Sequence, residues 1–124
     1  MADNKKILIV EDDDFLRSLA AKRLEKDGLS VKDAIDGAAA LTAIEGTKFD
    51  LILLDLLLPG TDGFAVLEKA RTMPNGKDIP IVVFSNLGER ADIERAKKLG
   101  ATDFMVKANF TLDDIVSKIH SLLG

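Results

Sequence analysis

The chain has no cysteine, no tryptophan, no tyrosine, only three prolines, and no apolar run approaching a membrane span. Without cysteine there is no disulfide framework, no thiolate metal site and no thiol nucleophile. That composition suits a reducing, cytoplasmic setting. The start, MADNKK, lacks an apolar stretch behind a basic flank. A bilayer needs roughly 20 apolar residues in a helix, so neither a signal peptide nor membrane insertion is expected. An excess of positive charge is missing too. The net charge is −4 and basic residues alternate with acidic ones. Direct nucleic-acid binding is disfavoured, because neutralising phosphates requires a clustered basic face. There is no low-complexity segment and no internal repeat. The 124 residues suit one domain, spanning 1–124, around one core.

What is present is a regular alternation. Short apolar runs occur at Ile7–Val10, Leu51–Leu54, Ile79–Phe84 and Phe104–Val106, with a weaker one at Ser30–Ala34. Most are rich in Ile and Val, which suit strands. Continuous runs, rather than polar–apolar alternation, point to strands covered on both faces, as in parallel sheets. The Leu-rich run after Asp50 is compatible with helix by composition, but Pro59 and Gly60 cut it short, so it reads as a buried strand and a turn. Between the runs lie helical stripes. Phe15, Leu16, Leu19, Ala20 and Leu24 form the first, ended by Gly28. Ala38, Leu41 and Ile44 form the second, before Gly46. Phe64, Leu67 and Ala70 form the third. Ile93, Ala96 and Leu99 form a sparse fourth, before Gly100. Leu112, Ile115, Val116, Ile119, Leu122 and Leu123 form the fifth, opened by an acidic capping box at Thr111 and Asp114. Five strand–helix pairs imply an α/β fold: a doubly wound five-stranded parallel sheet with helices on both faces. The strand order 2-1-3-4-5 is expected, with a crevice beyond the ends of strands one and three.

The ends of the strands carry the chemistry. Strand one runs into Glu11, Asp12, Asp13 and Asp14, and strand three into Asp55. Strand four runs into Ser85 and Asn86, and strand five into Lys107. In a parallel sheet these ends share one rim. Crowded carboxylates resist ionisation together, and a hard cation resolves the conflict. Beside such a cation a carboxylate can act as a nucleophile toward phosphorus, and Asp55 is the candidate. Lys107 can offset phosphoryl charge and Ser85 can donate a hydrogen bond. Plainer roles compete. Asp13 or Asp14 suits the cap of the first helix, and Asp62 with Gly63 the start of the third. Ser85 alone suits a strand end, and Lys107 alone a solvated lysine. His120, late in the last helix, is assigned no chemistry.

Four segments carry a family resemblance: ILIVEDDDFLR, LILLDLLLPGTDG, IPIVVFSNLGE and GATDFMVKANF. In this order, each at a strand end, they resemble the signature segments of response-regulator receiver domains of two-component systems, of the stand-alone, chemotaxis type. The resemblance covers essentially the whole chain. It implies that Asp55 is the phospho-acceptor, and that Asp12 ligates Mg²⁺ (or Mn²⁺) directly and Glu11 mainly through water. Leu57 would supply a backbone carbonyl to the metal. Ser85 matches the switch hydroxyl and Lys107 the phosphate-binding lysine. Phe104 matches the switch aromatic, although it equally suits a plain core position. Pro59 and Gly63 match the turn and helix start after the acceptor. The implied partners are a sensor histidine kinase or histidine phosphotransfer protein upstream and an effector protein downstream. The implied activity is that of a phosphorylation-controlled signalling switch, read out through helix four, strand five and helix five, rather than that of an enzyme.

Two positions depart from the family pattern. Asn86 stands where a small residue is common, which bears on the lifetime of the phosphoryl group. Ala108 stands where proline, often after a cis bond, is usual; a cis bond before a non-proline costs about 3 kcal/mol. Other classes fit less well. A flavodoxin-like nucleotide-binding module needs a neutral phosphate-cradling loop where Glu11–Asp14 is acidic. A Mg²⁺-dependent phosphatase with an aspartate nucleophile needs a second acid two residues on, where Leu57 stands. A degenerate receiver acting only as an interaction module is the remaining alternative.

Overall fold

A computed structural model describes residues 5–124. The reading of the amino-terminal start rests partly on residues 1–4 and lies outside them. Ten main elements alternate along the chain. They are β1 (Lys6–Val10), α1 (Asp14–Lys26), β2 (Ser30–Ala34), α2 (Gly37–Gly46), β3 (Leu51–Leu54), α3 (Gly63–Thr72), β4 (Ile81–Ser85), α4 (Arg90–Lys98), β5 (Asp103–Val106) and α5 (Leu112–Leu123). A two-residue hairpin pairs Leu57–Leu58 with Thr61–Asp62 just after β3, turning at Gly60, whose φ of 65° suits glycine.

The five strands form one parallel sheet in the order β2-β1-β3-β4-β5. The expected 2-1-3-4-5 arrangement is therefore the observed one. Side chains alternate between faces with the period of two. Leu8, Val10, Ile52, Leu54, Ile81 and Val83 pack on one face with α2, α3 and α4. Ile7, Ile9, Leu51, Leu53, Val82 and Phe84 pack on the other with α1 and α5. Both faces being covered explains why the strands read as unbroken apolar runs.

The helix ends follow local chemistry. Asp13, not Asp14, caps α1, accepting from the Leu16 amide at 3.0 Å. Asp62 caps α3 through the Phe64 amide, and Thr111 with Asp114 completes a capping box on α5. Capping of this kind satisfies amides that have no partner within the helix.

Two expectations on α1 need correction. Phe15 and Leu19 belong to its apolar stripe by sequence, yet they are 76% and 42% exposed. The line that meets the sheet is Leu16, Ala20 and Leu24. Phe15 and Leu19 each precede a member of that line by one residue, about 100° round the helix, which turns them to solvent. In β4 the strand begins at Ile81 rather than Ile79 and extends to include Ser85.

Candidate functional site

Every strand of the sheet ends at the same rim, and parallel register sets the depth of each residue there. Ile9 and Val10 pair with Leu53 and Leu54, so Glu11 and Asp55 leave adjacent strands at the same level. The Asp55 amide donates to the Val10 carbonyl and the Glu11 amide to the Ala34 carbonyl, both at 3.0 Å. These bonds carry the ladder one residue past the strands and hold both side chains at the rim.

Glu11 and Asp55 are each only 4% exposed. Lys107 Nζ donates to Glu11 Oε1 and to Asp55 Oδ2, both at 2.8 Å. The remaining oxygens are also engaged. Asp55 Oδ1 accepts from the Leu57 amide at 3.0 Å, and Glu11 Oε2 accepts from the Asp13 amide at 3.1 Å. Burial pushes the Glu11 carboxyl above its ordinary pKa, and the neighbouring Asp55 adds to the rise. The bonds from Lys107 and the Asp13 amide oppose it without cancelling it. Burial works against the charged form of Lys107, but its bonds to Asp55 and Glu11 outweigh this and hold its pKa above the ordinary value.

Asp12 completes the cluster. One carboxylate oxygen from each of Glu11, Asp12 and Asp55 lies within 4.8 Å of the others. Asp12 itself is exposed. The donor set is oxygen only, which fits a hard divalent cation such as Mg²⁺. Three carboxylates face one ammonium, so the pocket has room in its charge balance for such a cation. All peptide bonds among the described residues are trans, the Lys107–Ala108 bond included. A trans bond there is compatible with aiming Lys107 at both acids.

Ser85 ends β4 and is wholly buried. Its Oγ accepts from the Leu87 amide at 3.4 Å. Val83 pairs with Phe104 in the sheet, and Ser85, two residues on, pairs with Val106. Ser85 and Phe104 therefore sit on the same face, the one covered by α4. Phe104 is buried in that core at 9% exposure. Leu57, by contrast, is 47% exposed at the mouth of the site. Of the residues marked out by sequence, the structure brings Glu11, Asp12, Asp55 and Lys107 into one cluster, and sets Ser85 and Phe104 in the layer beside it.

One residue at this site escaped sequence reasoning. Arg17 Nη1 donates to the Glu11 backbone carbonyl at 2.9 Å. Its other nitrogens pair with Asp14 on α1 and Asp33 on β2. It thus grips the acidic turn from behind. Its acceptor on Glu11 is a main-chain atom, which leaves no mark in the sequence. His120, assigned no chemistry, pairs with Asp27 across α5 and α1 at 2.8 Å, far from the rim.

A five-stranded doubly wound sheet with acids, a hydroxyl and a lysine at its carboxyl rim places a charged site where open α/β sheets bind their ligands. Comparison with known proteins specifies the family. The family model for the response regulator receiver domain matches residues 7–120, and the chain belongs to that family. It is 36% identical over 121 residues to a probable transcriptional regulator, ycf27, of Cyanophora paradoxa, covering 98% of this chain and 49% of that protein. It is 34% identical over 118 residues to the transcriptional regulatory protein ResD of Bacillus subtilis, covering 95% of this chain and 48% of that one. The chain therefore spans about half the length of the curated relatives it matches. Among solved structures, a CheY-like receiver domain protein from Methanospirillum hungatei superposes with a TM-score of 0.90 at 27% identity, covering 98% of this chain and 94% of that one. The non-phosphorylated HemR receiver domain of Leptospira biflexa gives 0.89 at 30% identity, covering 97% and 94%. No helix among the described residues is long and apolar enough to cross a membrane.

Proposed function

We propose that this receiver accepts a phosphoryl group on Asp55 from a phosphohistidine donor and relays the event to a partner protein, with residues 1–124 acting as one unit. The observation that carries the reading is the Lys107 ammonium, 2.8 Å from both Asp55 and Glu11, beside a third carboxylate from Asp12. Glu11, Asp12 and Asp55 would hold Mg²⁺ or Mn²⁺, with the Leu57 backbone carbonyl as a further donor. The cation supplies positive charge to oxygens that become more negative during transfer.

The chain's own groups do the rest. A carboxylate oxygen of Asp55 attacks phosphorus. The P–N bond to the donor imidazole breaks, and its electron pair stays on the imidazole nitrogen, which takes up a proton. An aspartyl phosphate remains. Lys107 offsets the charge of the new group, and Ser85 can turn its hydroxyl toward a phosphoryl oxygen. Ser85 and Phe104 share one face of the sheet, so a shift of Ser85 leaves room for Phe104 to move inward. The surface of α4, β5 and α5 changes as a result. Donors of this kind are a sensor histidine kinase or a histidine phosphotransfer protein. An effector reads the changed surface, and the chain itself is a switch, catalysing at most its own phosphoryl transfer and dephosphorylation.

Incubation with Mg²⁺ and a small acyl phosphate or phosphoramidate, followed by intact mass measurement, tests this. Wild type should gain one phosphoryl group and Asp55→Asn should gain none. A wild type that stays unmodified would leave only the interaction-module reading. Mass is the readout of choice, since the chain has no tryptophan or tyrosine.

A further inference from the structure

Helix α4 is held very differently along its length. Its carboxyl end is pinned. Arg71, at the end of α3, donates to the Gly100 carbonyl from Nε at 2.9 Å and from Nη2 at 2.7 Å. Its Nη1 donates to the Gly76 and Ile79 carbonyls at 2.8 and 2.6 Å. Gly100 has a φ of 112°, and a Cβ there would lie 2.9 Å from the Arg71 side chain. The opposite end is loose: the N-cap Glu89 makes no side-chain capping bond. Along the helix only Ala96 is fully buried, with Ile93 and Leu99 partly so. A helix fixed at one end and weakly seated elsewhere is built to pivot.

Between the pinned end and the loose end stands one distinctive contact. The Arg95 guanidinium lies over the Phe64 ring, 4.1 Å from its centroid. Its Nη2 also lies 3.8 Å from Asp62 Oδ2. Both Arg95 and Asp62 are more than half exposed, so the ion pair adds little and the stack is the main attraction. The footing of this contact leads back to the rim. Asp62 is the cap of α3 and the ladder partner of Leu57, and the Leu57 amide bonds Asp55 Oδ1.

We propose that Arg95 is a latch: its stack on Phe64 holds α4 against α3, and the latch opens when Asp55 carries a phosphoryl group. This rests on the acceptor reading above. A phosphoryl group on Asp55 disturbs the oxygen that the Leu57 amide holds. The two-residue hairpin carries that disturbance to Asp62 and Phe64, where Arg95 sits. Arg95 pairs with Asp62 but with none of Glu11, Asp12 and Asp55, so it acts by positioning α4.

Hydrogen exchange and binding of beryllofluoride, a phosphoryl mimic, test this together. In the unmodified protein, Arg95→Ala should speed exchange of the Arg90–Lys98 amides two- to fivefold, the factor a partly exposed cation–aromatic stack supplies. Amides of α3 and α5 should not change. Alanine is the strongest helix former, so a loss of helix propensity cannot produce this result. Arg95→Lys should fall between, and Arg95→Ala combined with Phe64→Leu should show less than the sum of the two single effects. In the presence of Mg²⁺, Arg95→Ala should bind beryllofluoride two- to fivefold more tightly, because a bias toward the open state adds to affinity by the same factor.

Unchanged α4 exchange in Arg95→Ala overturns the latch, whatever happens at Asp55. Faster exchange with unchanged or weaker beryllofluoride binding overturns its coupling to the acceptor. Wild type that binds no beryllofluoride while α4 still loosens in the variant overturns the acceptor reading, and the regulatory half of the latch falls with it.

Discussion

Lys107 bridges Glu11 and Asp55, two buried acids from neighbouring strands, with 2.8 Å hydrogen bonds to each. The ammonium occupies the charge-balancing position between the two acids. Lys107→Met leaves these acids facing each other without a counter-charge. Stability without divalent cation should fall by about 1–3 kcal/mol. The loss stays below that of a fully orphaned charge because the Glu11 carboxyl, whose pKa burial already raises, can take up a proton. Chemical denaturation with and without Mg²⁺ checks this. Mg²⁺ at ten times its dissociation constant should return about 1.4 kcal/mol. A variant as stable as wild type in the absence of metal would show that the bridge contributes nothing to the fold.

Arg17 holds the acidic turn from behind, through the Glu11 carbonyl, Asp14 and Asp33. Its side chain is 15% exposed, so these bonds are partly shielded from water. Arg17→Gln should cost about 1–2 kcal/mol and weaken Mg²⁺ binding, as the turn that carries Glu11 and Asp12 loosens. Arg17→Lys should recover only part, because an ammonium lacks the planar fork that reaches three acceptors. Denaturation and calorimetric Mg²⁺ titration give the two readouts. Full recovery by lysine would mean that charge alone, not the fork, is what matters.

How much of this could be read in advance depended on where the partner atoms lie. Leu51–Leu54 reads as a buried strand because both faces of β3 are covered, and that one fact leads to the parallel sheet and its rim. Asp55 stands out because an acid at the end of such a run needs a partner. Phe15 and Leu19 misled because sequence gives the width of a helical stripe only roughly, and only the central line of Leu16, Ala20 and Leu24 meets the sheet. Arg17 and Arg71 were invisible for another reason. Their key acceptors are carbonyls of Glu11, Gly76, Ile79 and Gly100, and every residue type has a carbonyl. The choice between Asp13 and Asp14 as cap also needed coordinates, since either spacing was possible from the sequence.

Gly63 opens α3 directly behind the loop that follows Asp55. A Cβ there would lie 2.3 Å from Leu56 Cα and 2.4 Å from the Leu56 carbonyl oxygen. Both are backbone atoms, so no side chain can swing aside. Gly63→Ala should therefore destabilise by about 1–3 kcal/mol, as overpacking does. It should also displace Leu56 and Leu57, and with them the amide bonded to Asp55. The expected result is a lower denaturation midpoint together with shifted amide resonances at Asp55 and Leu57. A midpoint at the wild-type value would show that α3 can move away from the loop freely.

Asp103 on β5 pairs with Lys118 on α5 at 2.8 Å, which ties two elements of the proposed output surface together. Burial alone would push the Asp103 carboxyl up. The bonds from Lys118 and the Phe104 amide outweigh burial and hold its pKa below the ordinary value of 3.8. A carboxyl with a depressed folded-state pKa binds fewer protons folded than unfolded. Its stabilisation is then complete above the unfolded value and is lost as pH falls through the folded one. Both side chains are about a third exposed, so screening limits the contribution to about 1 kcal/mol or less. Asp103→Asn should lower stability at pH 7 and leave a shallower decline between neutral pH and about pH 3 than wild type shows. The difference between the two proteins should shrink in 1 M salt, where the Debye length is about 3 Å. Urea titrations at a series of pH values measure this directly. Parallel stability curves for the two proteins would show that Asp103 titrates alike folded and unfolded, and that the link between β5 and α5 does not depend on its charge.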